Sequence, residues 1–209
     1  MCIRDRAGSA IICDEYKYLW QGIGKADSIV FNPHKWLGAQ FDCSVHFLKD
    51  MNVQKNTLSL TPEYLKTSGV EGITNLSDYT IPLGRRFRAL KLWFLIRSEG
   101  LSGIRKLIRD HINWSEKLFH RIKLLKNIEV ITEPVLGLFT FRFINQNSEN
   151  INDLNEKIVK EINDEGLIYL TPTKVGEKFV IRFMAGTLEM EEHDIDVAYK
   201  CIKEKSERM

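Results

Sequence analysis

The chain has 209 residues, of which 44% are hydrophobic and 28% charged, an ordinary globular balance. A net charge of +2 offers no general field for nucleic acid or an anionic membrane, and no uninterrupted apolar run is long enough to span a bilayer. Four scattered cysteines (Cys2, Cys13, Cys43, Cys201) without a CxxC pair read as reduced thiols of a cytoplasmic protein, with no disulfide framework and no metal site, and the opening MCIRDR lacks the apolar core of a signal peptide.

From Ala7 to about Gln21 the chain mixes small residues with a short amphipathic segment. The runs SIVF and CSVHFL read as short buried strands, bounded by the Asn32-Pro33 turn and the Gln40 to Asp42 stretch. From Asp50 to Pro82 the text turns polar and reads as one long loop, a length more often functional than decorative. A helix is expected over about Arg86 to Arg97, ending near Gly100. The strongest helical spacing follows, with Leu101, Ile104, Leu107, Ile108, Ile112, Ser115, Leu118, Ile122 and Leu125 on one stripe.

Beyond Lys126 the pattern changes to IEVIT, GLFTFRFI, a helix from Ile151 to Glu165 stopped by Gly166, then LIYLT, KFVIRFM and a last helix from about Met190 to Lys205. Such a mixture indicates a small α+β domain beginning near Ile128.

The chemistry concentrates in FNPHKWLGAQFDCS. Most lysines are solvated, because burying an ammonium is costly. Lys35, however, follows a strand, is preceded by His34 and stands among apolar and aromatic neighbours. A lysine whose neutral amine is available can form an imine, and enzymes holding pyridoxal phosphate are the principal users of one. On the residues alone, a surface lysine and a cofactor lysine both stand. Asn32 is equally readable as a turn residue, and His34 as a loop histidine. His46, His111, His120 and His193 form no ligand-like group. The GIGK at Gly22 to Lys25 is no P-loop, since Leu19 holds the first glycine position.

The words FNPHKWLGAQFDCS, AGSAIICDEYKYL and IPLGRRFRALKLWFLIRSEGLSGIRKLIRDHI closely resemble the pyridoxal-phosphate-dependent group II decarboxylases, in their aromatic-L-amino-acid branch. The likeness runs from Ala7 over nearly the whole chain. It implies an α/β fold, the C-terminal part of a fold-type I pyridoxal-phosphate enzyme. Residues 1–125 would end the cofactor-binding large domain and residues 126–209 would form the small α+β domain.

By the same resemblance Lys35 is the lysine bonded to pyridoxal 5'-phosphate, with His34 and Asn32 near the cofactor phosphate. Tyr64, in TPEYLKTSG, matches the loop tyrosine that returns a proton to the substrate carbon once carbon dioxide has left. A phenol suits that task, and a closing lid excludes water. Relatives with phenylalanine at this place make an aldehyde instead, so Tyr64 favours plain decarboxylation. On its residues alone Tyr64 is an exposed loop side chain.

The segment LGRRFRALKLWFLIR resembles a basic amphipathic helix for membrane or nucleic acid, but its apolar positions surround most of the helix, which favours burial in protein. The resemblance places it at a homodimer interface, with Gly84 near the phosphate of the partner's cofactor, where backbone N–H groups attract anions. Arg182, in KFVIRF, matches an arginine at the active-site mouth; a solvated or structurally paired arginine is the plain alternative.

The family's aspartate for the pyridine nitrogen would fall at Ile3. Asp5 lies two residues off, about 7 Å along a strand. Family sequence is therefore expected to start near Ala7, residues 1–6 being foreign to it. The implied reaction is decarboxylation of an aromatic L-amino acid to its amine. A remnant that only dimerises, an aldehyde synthase and a decarboxylase of another amino acid are the alternatives.

Overall fold

Two short runs of 3-10 helix, Gly8–Ile12 and Asp14–Trp20, lead into strand β1 (Ser28–Phe31) in a computed structural model that describes residues 7–60, 72 and 74–209. Strand β2 (Val45–Leu48) pairs antiparallel with β1, Ser28 opposite Leu48 and Phe31 opposite Val45. Both strands fall where the β-branched and aromatic runs predict them. They are not buried, however: Val30 and Phe47 are exposed, and Phe31 stacks on Phe47. Burial concentrates in the connection between the strands, where Trp36, Leu37, Ala39 and Cys43 are all inside.

The polar stretch after Asp50 holds a helix that the sequence reading missed, α1 (Met51–Leu58). Asp50 caps it, its Oδ1 accepting from the Asn52 amide at 2.9 Å. No residue of α1 is buried, so it carries no apolar stripe for periodicity to find.

Helix α2 (Arg88–Ile122) runs 35 residues but leaves helical geometry at Gly100, where φ is 66° and ψ 169°. Only glycine adopts that conformation readily, so the break expected near Gly100 is encoded by that residue. The same point divides the chain into two compact units, Met1–Gly100 and Leu101–Met209.

The second unit is a four-stranded antiparallel sheet in the order β3-β4-β6-β5, from β3 (Ile128–Val135), β4 (Leu138–Phe143), β5 (Thr171–Val175) and β6 (Lys178–Phe183). Alternation along β4 and β6 sends Phe139, Phe141, Phe143, Ile181 and Phe183 to one face. There they meet Leu118, Phe119 and Ile122 of α2, Ile158 and Ile162 of α3 (Ile151–Glu165), and Ile195 and Ile202 of α4 (Glu192–Glu207). Each such side chain contributes roughly 1.5–3 kcal/mol by leaving water.

Helix α3 begins and ends where the sequence predicts. Asn150 Oδ1 accepts from the Asn152 amide, and Gly166 closes it at φ 73°. The run LIYLT fares differently, since β5 starts only at Thr171. Leu170 is held instead by the Asn163 side chain, which accepts from its amide at 2.8 Å and donates to its carbonyl at 3.0 Å. Pro172 sits in an edge strand, where a missing N–H is tolerated.

Candidate active site

The connection from β1 to β2 places Lys35. Pro33 fixes the first bend, and the Lys35 amide donates to the Asn32 carbonyl at 3.0 Å, closing a tight turn. Gly38 (φ 78°) lets the chain turn again, its amide reaching the Lys35 carbonyl at 3.3 Å, while the Ala39 amide returns to the Pro33 carbonyl at 3.0 Å. Lys35 is half-buried, and Trp36 beside it has no exposed surface. The lysine is thus carried on a folded, backbone-tied loop over an apolar base, which answers why a charged residue stands in so hydrophobic a stretch.

Neighbouring side chains tie this loop from below. Asn32 is buried and its Oδ1 accepts from the Ser44 hydroxyl. His34 Nδ1 lies 2.7 Å from the Cys43 carbonyl oxygen and 3.1 Å from the Cys43 amide nitrogen, and the His34 amide donates to that same carbonyl at 3.2 Å. With Nδ1 protonated the ring donates to the carbonyl; in the other tautomer it accepts from the amide. Either way Nδ1 is committed to the Cys43 backbone. Phe41 stands edge-on to the imidazole at 5.0 Å.

Two residues that the sequence does not mark as site residues complete the arrangement. Arg88 donates through Nε to Asp42 Oδ2 at 2.9 Å, with Nη2 at 2.9 Å from the same oxygen and Lys91 Nζ 4.0 Å from Oδ1. The Arg88 hydrogen bond holds the Asp42 carboxyl below its usual range and raises the guanidinium in turn. Burial pushes the Cys43 thiol up, so it stays protonated and its Sγ donates to the Arg88 carbonyl at 3.9 Å. The sequence signal was complementary charge, Asp42 against the basic run from Arg85 to Lys91, but a separation of 46 residues hides such a pairing.

The other expected site residues fall elsewhere. Gly84 lies exposed in the bend before α2, and a methyl group built on it would meet nothing within 4 Å. Tyr64, and the first six residues with Ile3 and Asp5, lie outside the described residues. Arg182 belongs to the second compact unit, on β6, opposite Thr140 of β4 and Thr171 of β5. The structure therefore carries Asn32, His34 and Lys35 on one loop, with Gly84 before α2 in the same unit and Arg182 on β6 of the other.

Residues 5–144 match the pyridoxal-dependent decarboxylase conserved domain. The chain belongs to the pyridoxal-dependent decarboxylase family. Aromatic-L-amino-acid decarboxylase of Mus musculus is 38% identical to it over 200 residues, 95% of this chain and 41% of that protein. The Oryza sativa TDC solved with PLP and tryptamine superposes with a TM-score of 0.92 at 31% identity, over 98% of this chain and 44% of that one. The 4-hydroxyphenylacetaldehyde synthase of Rhodiola rosea superposes at 0.87 with 26% identity, over 98% and 42%. This decarboxylase-family chain thus spans 41% of the length of the mouse relative. The α/β fold read from the sequence is the fold of these neighbours.

Pyridoxal phosphate is the family's cofactor, and the residues present fit it. A primary amine, an imidazole and a buried carboxamide sit within four residues of one loop. Ser9 Oγ is buried with no hydrogen-bond partner among the described residues. It stands beside Gly8, where an added Cβ would lie 2.7 Å from Phe31 Cβ at the entrance to the same loop. A polar ligand at this end of β1 would satisfy that orphan hydroxyl.

Proposed function

We propose that the protein decarboxylates an aromatic L-amino acid to its amine and carbon dioxide, using pyridoxal phosphate held by Lys35. The observation that carries this reading is the half-buried Lys35 on a tied loop over fully buried Trp36, in a chain 31% identical to a TDC solved with PLP and tryptamine. When bound, the cofactor supplies a ring that takes up the electron pair left as carbon dioxide departs.

The chain's own residues do the rest. Lys35 holds the cofactor aldehyde through its amine. His34 and Asn32 flank the phosphate, and Gly84 serves the phosphate of a partner subunit. Arg182 stands at the mouth. Tyr64 donates its phenolic proton to the carbon that has lost the carboxylate, and that carbon then carries hydrogen in its place. Residues 1–125 end the cofactor-binding domain and residues 126–209 make the small one.

Pairing of two copies is part of the proposal. Phe87 just before α2, and Trp93, Phe94 and Ile96 on its first half, are exposed and make an apolar surface suited to a partner. A cytoplasmic location is supported by a sequence whose scattered cysteines, without a CxxC pair, read as reduced thiols. A second reading, aldehyde formation, is favoured by the likeness to the Rhodiola rosea synthase; product analysis separates amine from aldehyde.

The assignment is checked by adding pyridoxal phosphate, reducing with borohydride and mapping the pyridoxyl peptide. Lys35→Ala should abolish the adduct while Lys25→Ala leaves it intact. An adduct that survives Lys35→Ala removes the assignment, and so does a wild-type chain that labels on no lysine.

A further inference from the structure

Exposed ion pairs contribute little to stability, and the Asp42 and Arg88 side chains, 37% and 32% exposed, would ordinarily be dismissed on that ground. Their placement argues otherwise. Arg88 is the first residue of α2, 46 positions from Asp42, and it grips that carboxylate through two nitrogens. Its own carbonyl also receives the Cys43 thiol, so a single residue holds two consecutive positions of the loop. Cys43 in turn brackets the His34 imidazole with its amide and carbonyl, and takes the His34 amide on the same carbonyl. His34 is covalently next to Lys35. An unbroken set of contacts therefore runs from the start of α2 to the amine-bearing turn, within residues 32–43 and 88–91.

Apart from the Ser44 hydroxyl on Asn32 Oδ1, the segment it grips is largely open to solvent. Gln40, Phe41 and Ser44 are exposed, and Phe41 presents 78% of its surface to solvent while touching the imidazole edge. Cys43 is the buried anchor, and Arg88 fixes it from the outside.

We propose that Asp42 and Arg88 are positioning residues for the reaction, an ion pair that sets the Cys43–His34 contact and thereby the orientation in which Lys35 meets the cofactor aldehyde. This rests on Lys35 being the cofactor lysine. The pair acts through geometry, not through the fold's stability. Asp42 stays ionised down to below its ordinary value of 3.8, so the clamp is closed throughout the neutral range.

The test follows capture of pyridoxal phosphate by the purified protein, quenching with borohydride at timed intervals and counting pyridoxyl groups lysine by lysine. Lys17, whose side chain is 58% exposed, serves as an internal clock. Arg88→Ala and Asp42→Ala should each slow Lys35 labelling at least about tenfold, the scale on which small misplacements act, with Lys17 labelling unchanged. Arg88→Lys, which keeps charge but not the two-nitrogen grip, should recover only part of the rate. The exchanged pair Asp42→Arg with Arg88→Asp should label faster than either single variant, giving a positive coupling. Lys160→Ala, which removes an exposed ion pair with Asp164 on α3, should match wild type.

Wild-type labelling rates in both alanine variants would overturn the proposal. So would slowed labelling that tracks a fall in thermal midpoint, with Arg88→Lys and the exchanged pair no better than alanine, since that pattern is plain loss of structure. A wild-type protein that shows no preference for Lys35 over Lys17 would overturn the cofactor assignment itself, and the pair's role with it.

Discussion

Gly137 and Gly8 show how single hydrogens can be obligatory. Gly137 has φ 78°, and a Cβ there would stand 3.1 Å from Ser115 Cβ and 3.3 Å from the Ile112 Cα. It follows Leu136, itself at φ 50°, so both central residues of the β3–β4 turn are left-handed, as the tight hairpin geometry demands. Gly137→Ala should cost roughly 1–3 kcal/mol, read as a lower urea midpoint, because strain and crowding act together. Ser115 supplies the acceptor for the Ala185 amide at 2.9 Å in a fully buried place. Ser115→Ala strands that amide and should cost about 1–3 kcal/mol in the same titration, whereas Ser98→Ala on the exposed surface should change little. Gly8→Ala would press on Phe31 at 2.7 Å, and its signature should be slower Lys35 labelling, since Phe31 leads directly into the loop. None of these three demands is visible in the letters. Each depends on a neighbour many positions away.

At the scale of elements, local chemistry explains what could be read in advance. Helix α3 was legible because a cap, an apolar spacing and a terminal glycine all lie inside one window, Asn150 to Gly166. The phenylalanines of β4 announce period two, and their burial against three helices follows from it. Helix α1 was illegible because it buries nothing, and the start of β5 moved because Asn163 of α3 captures the Leu170 backbone. Asn163→Ala should therefore loosen the α3–β5 connection, with faster amide exchange at Leu170 than at Val180 in β6, which is fully buried. The candidate site divides in the same way. Its lysine, histidine and asparagine sit together in the text, while the clamp from Arg88 joins two elements that sequence alone does not bring together. Gly100 was legible as the end of a helix, and its conformation says why glycine stands there.

For the whole molecule, charge and exposed surface set the conditions under which it stands. Burial alone would raise the Glu129 carboxyl, but hydrogen bonds from Lys178 and Arg142 outweigh it and hold the group below its usual 4.5. Stability from Glu129 is therefore full above that value and lost as pH falls through the lower folded one. Lys205 on α4 reaches Glu165 at 2.6 Å and Glu161 at 3.2 Å on α3, and the Glu165 bond first of all raises its ammonium above 10.5. Its contribution is complete below 10.5 and vanishes as pH climbs past the raised value. Glu129→Gln should accordingly flatten the acid limb of a stability–pH curve, and Lys205→Met the alkaline limb. The apolar side chains on the first half of α2 bear on assembly instead: Trp93→Asp should shift sedimentation toward a smaller species at a given concentration if two copies pair there, and no shift would remove that surface from the interface. The Trp36 ring, sealed from solvent one residue from Lys35, has an optical consequence. Its Cα lies about 3.8 Å from that of the lysine, so a pyridoxyl chromophore fixed on that amine would drain the excited indole by energy transfer. Emission from Trp36 should dim as the adduct forms and return in Lys35→Ala, which makes the protein its own fluorescent gauge of cofactor loading.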